Sequence, residues 1–238
     1  MKGSSQSGRV RIVTIGGALI FVASLITGGY AYAVPFGQPA LLEHSARSIA
    51  IDVVLFVAFG LHHSLFARAG LKRRVRAWVG PDLDRSVYVW IASVLFAAMM
   101  WWWQPVAGTL WRASDAVGWL LALVQLGGAV LMIVAGRLAD VGDLAGLRHT
   151  AAPVGATPPT PISRGPYGLV RHPLYLAFLL LVWPVQVMTG TRFLFAALFT
   201  AYVLVAIPLE ERDLRRTFGA AYTEYARRVR ARLVPGIY

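Results

Sequence analysis

The sequence predicts an all-α, polytopic membrane protein with about six transmembrane helices, and three observations support this. Of the 238 residues, 57% are hydrophobic and only 14% are charged, whereas a soluble domain carries about a quarter charged residues. The apolar residues gather in runs close to the roughly 20 residues that a helix needs to cross a bilayer. The basic residues fall between these runs and are concentrated in alternate loops.

Six apolar runs are predicted to cross the membrane. They cover about residues 12–34, 48–65, 87–103, 117–134, 174–188 and 193–208. Pro35 and Pro105 follow the first and third runs, where proline cannot continue a helix. Asp52 lies inside the second run, and an acid at that depth is costly enough to suggest a function.

The loop charges predict the topology. Lys and Arg are abundant at the amino end, in the second-to-third and fourth-to-fifth loops and in the tail, while the other loops hold only Arg47, Arg112 and Arg192. An excess of basic residues marks the cytoplasmic side. We therefore predict a bacterial inner-membrane protein with both termini in the cytoplasm. The net charge of +12 then reflects helix orientation and contact with membrane lipid rather than nucleic-acid binding.

The chain is predicted to form one domain, residues 1–238, made of a four-helix half (1–136) and a half that carries the polar site (137–238). The absence of Cys excludes a disulfide framework, and we predict no metal site. No Gly-rich turn joins a strand to a helix, which excludes a soluble Rossmann-type domain. The oligomeric state is left open.

A polar stretch at residues 164–175 stands out in this apolar chain. Arg171 and His172 precede Pro173, which suits the first turn of a helix, and a helix amino end favours an anion. Tyr167 and Tyr175 flank them. The stretch therefore predicts one side of a small-molecule site.

A second polar cluster, Glu210 and Glu211, ends the last run on the same predicted side. Because a hairpin brings its two ends together, we expect these carboxylates to face Arg171 and His172 and to form a pocket for a zwitterionic or cationic ligand at the membrane surface. Residues 213–225 then predict an amphipathic helix that is broken at Gly219 and caps the pocket.

These motifs resemble the integral-membrane methyltransferases of the isoprenylcysteine carboxyl methyltransferase type. The resemblance rests on residues 171–175, 210–214, 218–219, 222, 225 and 232–235. Residues 63–68, 72, 85–89, 101–105 and 143–148 are similar to the NnrU-like branch, which includes bacterial methanethiol S-methyltransferases. His149 and Ala145 depart from that pattern, which has Gln and an aromatic residue at these positions.

The resemblance implies an S-adenosylmethionine-dependent methyltransferase that acts on a small apolar thiol, converting methanethiol to dimethyl sulfide and releasing S-adenosylhomocysteine. The implied cofactor-binding residues are Tyr167, Arg171, His172, Pro173, Tyr175, Glu210, Glu211 and Tyr222. Arg212, Arg215 and Arg216 are implied at the acceptor. A thiol reacts as its thiolate, so His62, His63 and His149 are candidate bases.

Other interpretations remain open at this stage. The acceptor could be an isoprenylcysteine carboxyl group or a phospholipid, and the chain could instead be a membrane sterol-type reductase or an NnrU-like non-enzymatic membrane factor. His62 and His63 could be interfacial residues, and the basic residues between Arg68 and Arg76 could serve topology alone.

Overall fold

The computed structural model describes residues 2–40, 46–66, 69–80, 83–139 and 160–238. These residues form eight α-helices and two short strands. The order is α1 Lys2–Ala33, α2 Ala46–Phe66, α3 Ala69–Val79, α4 Asp84–Trp102, β1 Thr109–Arg112, α5 Asp115–Leu138, α6 Pro173–Val182, β2 Val187–Thr189, α7 Gly190–Phe218 and α8 Ala220–Arg228. The predicted all-α class is confirmed.

Five segments are helical, long and apolar enough to cross a membrane. They are Val10–Gly37, Ala46–Phe66, Asp84–Trp102, Asp115–Leu138 and Gly190–Phe218, which agree with the first four predicted spans and the last. Many of their large apolar side chains are exposed, among them Ile26, Leu123 and Ile133, as expected of surfaces that meet lipid. The chain is a multi-pass membrane protein.

The predicted fifth span, residues 174–188, is not one continuous helix. Helix α6 ends at Val182, because Pro184 lacks the N–H that would continue the helical bonding. Ten residues rise about 15 Å, half of a hydrocarbon core. The segment after the helix pairs through β2 with β1, and the Trp111 indole donates to the Val185 carbonyl at 3.0 Å. These bonds satisfy backbone that has left the helix.

The chain forms two compact units. The first draws its described residues from Met1–Gly108 and Thr189–Thr191, and the second from Thr109–Asp140, Ala152–Met188 and Arg192–Tyr238. The boundary at Gly108 places α5 in the second unit, whereas the predicted halves divide after residue 136. The single domain stays a prediction, because two compact units can belong to one domain.

In the first unit, α1 and α2 both pack against α4. The Trp90 side chain lies on the surface of α1 where Gly16 and Gly17 leave room, and its indole donates to the Val13 carbonyl at 3.0 Å. Asp52 is completely buried, and its Oδ1 accepts the backbone N–H of Gln104 at 2.7 Å. The acid inside the second span therefore binds backbone just beyond the end of α4.

Helix α3 lies in a segment for which the sequence predicted only basic loop residues. It packs against both α2 and α4. Leu71, Val75 and Val79 lie one turn apart on its half-buried face, while Arg74 and Trp78 are exposed. This helix is amphipathic.

In the second unit, α6 packs along α5. A Cβ atom at Gly128 of α5 would lie 2.9 Å from the Leu180 Cβ and 3.1 Å from the Ala177 carbonyl oxygen of α6, so glycine permits the close approach. The Gln125 side-chain amide donates to the Leu181 carbonyl at 2.7 Å. That bond satisfies a carbonyl in the last turn of α6.

Helix α7 continues through Pro208 to Phe218. Gly219 then takes a positive φ of 57° and separates α7 from α8, as predicted. Residues other than glycine rarely adopt that backbone conformation. Tyr222 and Tyr225 of α8 are buried with Val229, and Leu214 and Phe218 pack against them. The predicted apolar face of the C-terminal helix is thus the face that α8 buries.

Candidate functional site

The polar stretch at residues 164–175 leads into α6 through a tightly bonded loop. A short 3₁₀ helix covers Gly165–Gly168, His172 occupies the position before the helix, and Pro173 is its first residue. The backbone N–H groups of Arg171 and His172 donate to the carbonyls of Ala231 and Arg232 at 3.0 and 2.9 Å. The tail after α8 is therefore bonded to the loop that carries both side chains.

Glu211 is the centre of the polar cluster. It is only 3% exposed, and its Oε1 accepts the Arg171 Nε–H at 2.6 Å. Its Oε2 lies 3.4 Å from an Arg232 nitrogen and 3.8 Å from an Arg215 nitrogen. A buried carboxylate needs paired, hydrogen-bonded partners, and three guanidinium groups supply them. The sequence predicted that Arg171 and Glu211 would meet, and the structure brings them together.

Arg171 makes further hydrogen bonds to backbone carbonyls through its Nη1. Its Nη1 donates to the carbonyls of Val229 and Arg230 at 2.8 Å each and lies 3.4 Å from that of Ala226. These carbonyls belong to the end of α8 and the residues after it, where unpaired acceptors and the negative end of the helix dipole attract a cation. Arg171 thus joins α6, α7 and α8, and its geometry is that of a positioning residue.

His172 lies between the two carboxylates. Its Nδ1 is 3.6 Å from Glu210 Oε2 and its Nε2 is 3.5 Å from Glu211 Oε1. Both distances exceed the usual range for a hydrogen bond. The ring is 5% exposed and stacks on Tyr175, with 5.7 Å between ring centroids. His172 separates two like charges and is held in place by the first turn of α6.

A group of three tyrosines closes the buried side of the cluster. The Tyr225 hydroxyl donates to the Tyr167 carbonyl at 2.8 Å. Burial raises the pKa of Tyr225 to about 12, and burial followed by the Glu210 charge raises the pKa of Tyr167 to about 12. Burial, reinforced by the Glu211 charge, also raises the pKa of Tyr222. All three phenols are therefore neutral at physiological pH.

Like the His172 Nε2, the Tyr222 hydroxyl is a buried polar group of this cluster that suggests a ligand. The side chain is 2% exposed, and its hydroxyl has no hydrogen-bond partner within the described part of the chain. Buried polar groups are nearly always paired. The Arg215 guanidinium lies 6.0 Å from the centre of its ring. An unpaired hydroxyl beside a charged cluster is suited to accept or donate a bond to a bound molecule.

An accessible set of charges surrounds this buried centre. Glu210, Arg215 and Arg232 have side chains that are 45%, 52% and 33% exposed. Burial acts to lower the pKa of Arg232, but the adjacent Glu211 carboxylate and Tyr238 outweigh it and raise that pKa. Both signs of charge are therefore available to a ligand at the surface.

The predicted acceptor residues are distributed differently. Arg215 joins the Glu211 cluster, whereas Arg216 pairs with Asp213 at 3.5 Å on an exposed face of α7. Arg212 is exposed on the same helix. His149 lies outside the described residues.

His62 and His63 belong to the first unit and lie at the end of α2. The His63 Nδ1 is 2.6 Å from the Tyr88 hydroxyl, and the His62 ring stacks on the Tyr88 ring with 5.7 Å between centroids. Phe66 also contacts both His62 and Tyr88. The two histidines thus form an aromatic cluster with α4.

Sequence reasoning assigned no role to Arg232 or Tyr225. Arg232 belongs to the motif at residues 232–235, but that stretch has no helical periodicity to indicate that it returns to Glu211. Tyr225 was assigned only to an apolar face. The regular spacing of aromatic residues in α8 predicted its burial but not the bond from its hydroxyl.

The comparisons with known proteins agree with this architecture. Residues 117–221 match the model of the phospholipid methyltransferase family, a range that contains Arg171, Glu211 and all of α7. Methanethiol S-methyltransferase 2 of Bradyrhizobium diazoefficiens is 36% identical over 214 residues, which are 87% of this chain and 81% of the relative.

Two further relatives extend the comparison. Methanethiol S-methyltransferase of Mycobacterium tuberculosis is 33% identical over 92% of this chain and 89% of its own length. Nurim of Xenopus laevis is 30% identical over 79% of this chain and 70% of its own length. No solved structure matches the chain. The chain therefore belongs to the family of integral-membrane methyltransferases that comprises the isoprenylcysteine and phospholipid enzymes and the methanethiol S-methyltransferases.

Proposed function

We propose that the protein transfers a methyl group from S-adenosylmethionine to methanethiol or another small apolar thiol. The observation that carries this proposal is its similarity to proteins named methanethiol S-methyltransferase, which extends over 87% and 92% of the chain in the two relatives above. The accessible charges around Glu211 lie in the second unit and offer a place for the methyl donor.

The residues at this cluster fit the donor. Its amino-acid end needs a cation for its carboxylate and an anion for its ammonium, and its ribose diol suits a carboxylate. Arg215 and Arg232 supply the cations and Glu210 the accessible anion. The Tyr222 hydroxyl, unpaired among the described residues, supplies a further hydrogen bond. Its ring is an aromatic face beside which a sulfonium can lie.

Arg171 and Glu211 have a different part in this proposal. Their side chains are 8% and 3% exposed and are bonded to each other. They fix the positions of α6, α7 and the tail relative to one another, so that Glu210 and Arg215 project from α7 at fixed positions. His172, between the carboxylates, completes this support together with Pro173 and Tyr175.

The bound donor supplies an electrophilic methyl group, whose transfer to methanethiol gives dimethyl sulfide and S-adenosylhomocysteine and releases the thiol proton. The contribution of the protein is orientation, since a displacement with a neutral leaving group needs no acid. The thiol must lose its proton to become a nucleophile. Arg212 and Arg216, on the same helix as Glu210, are proposed to stabilise the thiolate. The roles of His62, His63 and His149 as bases remain predictions from the sequence.

The proposed location is the bacterial inner membrane with both termini in the cytoplasm. The excess of basic residues in alternate loops supports it. In the second unit, Arg171 lies just before α6 and Glu211 lies in the last third of α7, so their ion pair brings the start of α6 and this part of α7 to the same side of the membrane. A water-soluble donor then enters from the cytoplasm and an apolar thiol from the lipid.

The test is methyl transfer by the purified full-length protein in lipid nanodiscs. The protein is incubated with methyl-deuterated S-adenosylmethionine and methanethiol, and labelled dimethyl sulfide is measured in the headspace by mass spectrometry. Donor affinity is measured separately by calorimetry. Glu210→Gln should lower donor affinity, while Arg216→Gln, which changes an exposed residue of the same helix, should leave it unchanged.

A protein that binds no donor contradicts the whole proposal, and one that binds donor but methylates no thiol contradicts the acceptor. A longer thiol, a prenylcysteine and phosphatidylethanolamine are tested in parallel. The match of residues 117–221 to the phospholipid methyltransferase family supports phosphatidylethanolamine as the second candidate acceptor. Transfer to that lipid in place of methanethiol would establish the alternative.

A further inference from the structure

The last turn of α2 and the helix α3 line a groove that the proposed reaction does not use. It has a volume of about 620 Å³ and is lined by Leu65, Gly70, Leu71, Arg73, Arg74 and Ala77. The groove is more open than enclosed. The described residues that line it all belong to the first unit.

The groove combines an apolar floor with cationic groups. Leu65 is in the last turn of α2, and Leu71 begins the half-buried face of α3. Arg73 and Arg74 are exposed, and neither takes part in an ion pair within the described part of the chain. The groove therefore carries two positive charges that lack an acidic partner among the described residues.

The position of α3 relates the groove to the bilayer surface. Helix α2 is long and apolar enough to span the membrane, and α3 begins three residues after it ends. Trp78, one turn after Arg74 on the same face, is 92% exposed. Tryptophan is enriched where a membrane meets water, because its ring is apolar and its N–H is polar. The exposed face of α3 is thus suited to the headgroup region.

We propose that this groove is a binding site for an anionic phospholipid. The phosphate group binds Arg73 and Arg74, whose planar guanidinium groups match phosphate oxygens. The glycerol and the first acyl carbons lie against Leu65 and Leu71. Charge complementarity favours an anionic lipid over a zwitterionic one, and the apolar floor favours a lipid over a free phosphate.

Arg76 offers a matched control. It belongs to the same helix and is exposed, but it does not line the groove. Diffuse attraction of a basic helix to an anionic surface depends on net charge, so the loss of any one arginine should weaken it to the same degree. A defined site depends on Arg73 and Arg74 and not on Arg76.

The experiment measures lipid retention by native mass spectrometry of the purified full-length protein in detergent. Phosphatidylglycerol and phosphatidylcholine with identical acyl chains are titrated separately. We expect preferential retention of phosphatidylglycerol, a loss of about fivefold in its apparent affinity for Arg73→Gln and for Arg74→Gln, and no change for Arg76→Gln. Arg74→Lys keeps the charge but not the planar fork and should show an intermediate loss.

Equal retention of the two lipids would overturn the proposal, as would an equal loss in the Arg76→Gln variant. Competition by soluble glycerol phosphate as effective as that by the lipid would contradict the role of the apolar floor. Thermal unfolding midpoints of the variants identify any loss caused by misfolding, which is not expected because these side chains are exposed. The readout involves no methyl transfer, so its result is independent of the proposed function.

Discussion

Replacing Arg171 tests whether the buried Arg171–Glu211 pair supports the site or contacts the ligand. Arg171→Ala leaves Glu211, 3% exposed, without its hydrogen bond at 2.6 Å, and it removes the donor to two carbonyls after α8. Breaking a buried ion pair costs about 3–5 kcal/mol. For a protein of this size that corresponds to a fall of roughly 6–20 °C in the unfolding midpoint.

Two further variants divide this cost into its parts. Arg171→Lys keeps the charge near Glu211, but one ammonium group cannot reproduce the fork that reaches both the carboxylate and the carbonyls. We expect a loss of about 1–3 kcal/mol for the unsatisfied carbonyls. Glu210→Gln, at a side chain that is 45% exposed, should change the free energy of unfolding by less than about 1 kcal/mol while lowering donor affinity.

The assay pairs thermal unfolding, followed by circular dichroism in detergent, with donor binding by calorimetry at a temperature where every variant is folded. The positioning role predicts a large fall in the midpoint for Arg171→Ala. If Arg171→Ala instead kept the wild-type midpoint and lost only donor affinity, Arg171 would be a ligand-binding residue and the reasoning from its internal bonds would be wrong.

Three further predictions concern the second unit. Tyr222→Phe removes a hydroxyl with no partner among the described residues, so it should lower donor affinity up to about tenfold and leave the unfolding midpoint unchanged. Tyr225→Phe loses the bond to the Tyr167 carbonyl and should instead lower the free energy of unfolding by about 1 kcal/mol. Thermal melts of the two variants are compared. Gly128→Ala places a Cβ atom within 2.9 Å of α6 and should lower the free energy of unfolding by about 1–3 kcal/mol. The control Gly127→Ala, whose Cβ would meet nothing within 4 Å, should be neutral or slightly stabilising. Equal unfolding midpoints for the two variants would contradict the close packing of α5 and α6. The pKa values of Tyr167 and Tyr225 are raised to about 12. The neutral phenols therefore stabilise the folded state fully below pH 10, and this stabilisation should be lost as the pH rises from 10 to 12. An ultraviolet titration in which every tyrosine of the folded protein ionises near pH 10 would refute this prediction.

The positions of the long helices follow from the sequence, since bilayer thickness sets the length of an apolar run and a helix satisfies its own backbone. The first four predicted spans and the sixth agree with the structure for this reason. The meeting of Arg171 and Glu211 was also predictable, because a hairpin returns to the side on which it began. Gly219 was recognisable as a break because its type alone permits the required backbone conformation.

Other features depend on contacts between residues distant in the chain. Helix α6 was predicted to be longer than it is, because hydropathy does not reveal that β1 and Trp111 would satisfy the backbone after Val182. The tail gives no periodic signal, so its return to Arg171 and the approach of Arg232 to Glu211 arise only when α8 packs through Tyr222 and Tyr225. Sequence composition and spacing therefore establish which elements span the membrane and which polar residues meet. Whether a polar residue supports the site, as Arg171 does, or offers an accessible charge, as Glu210 does, depends on its burial, which only the packed chain defines.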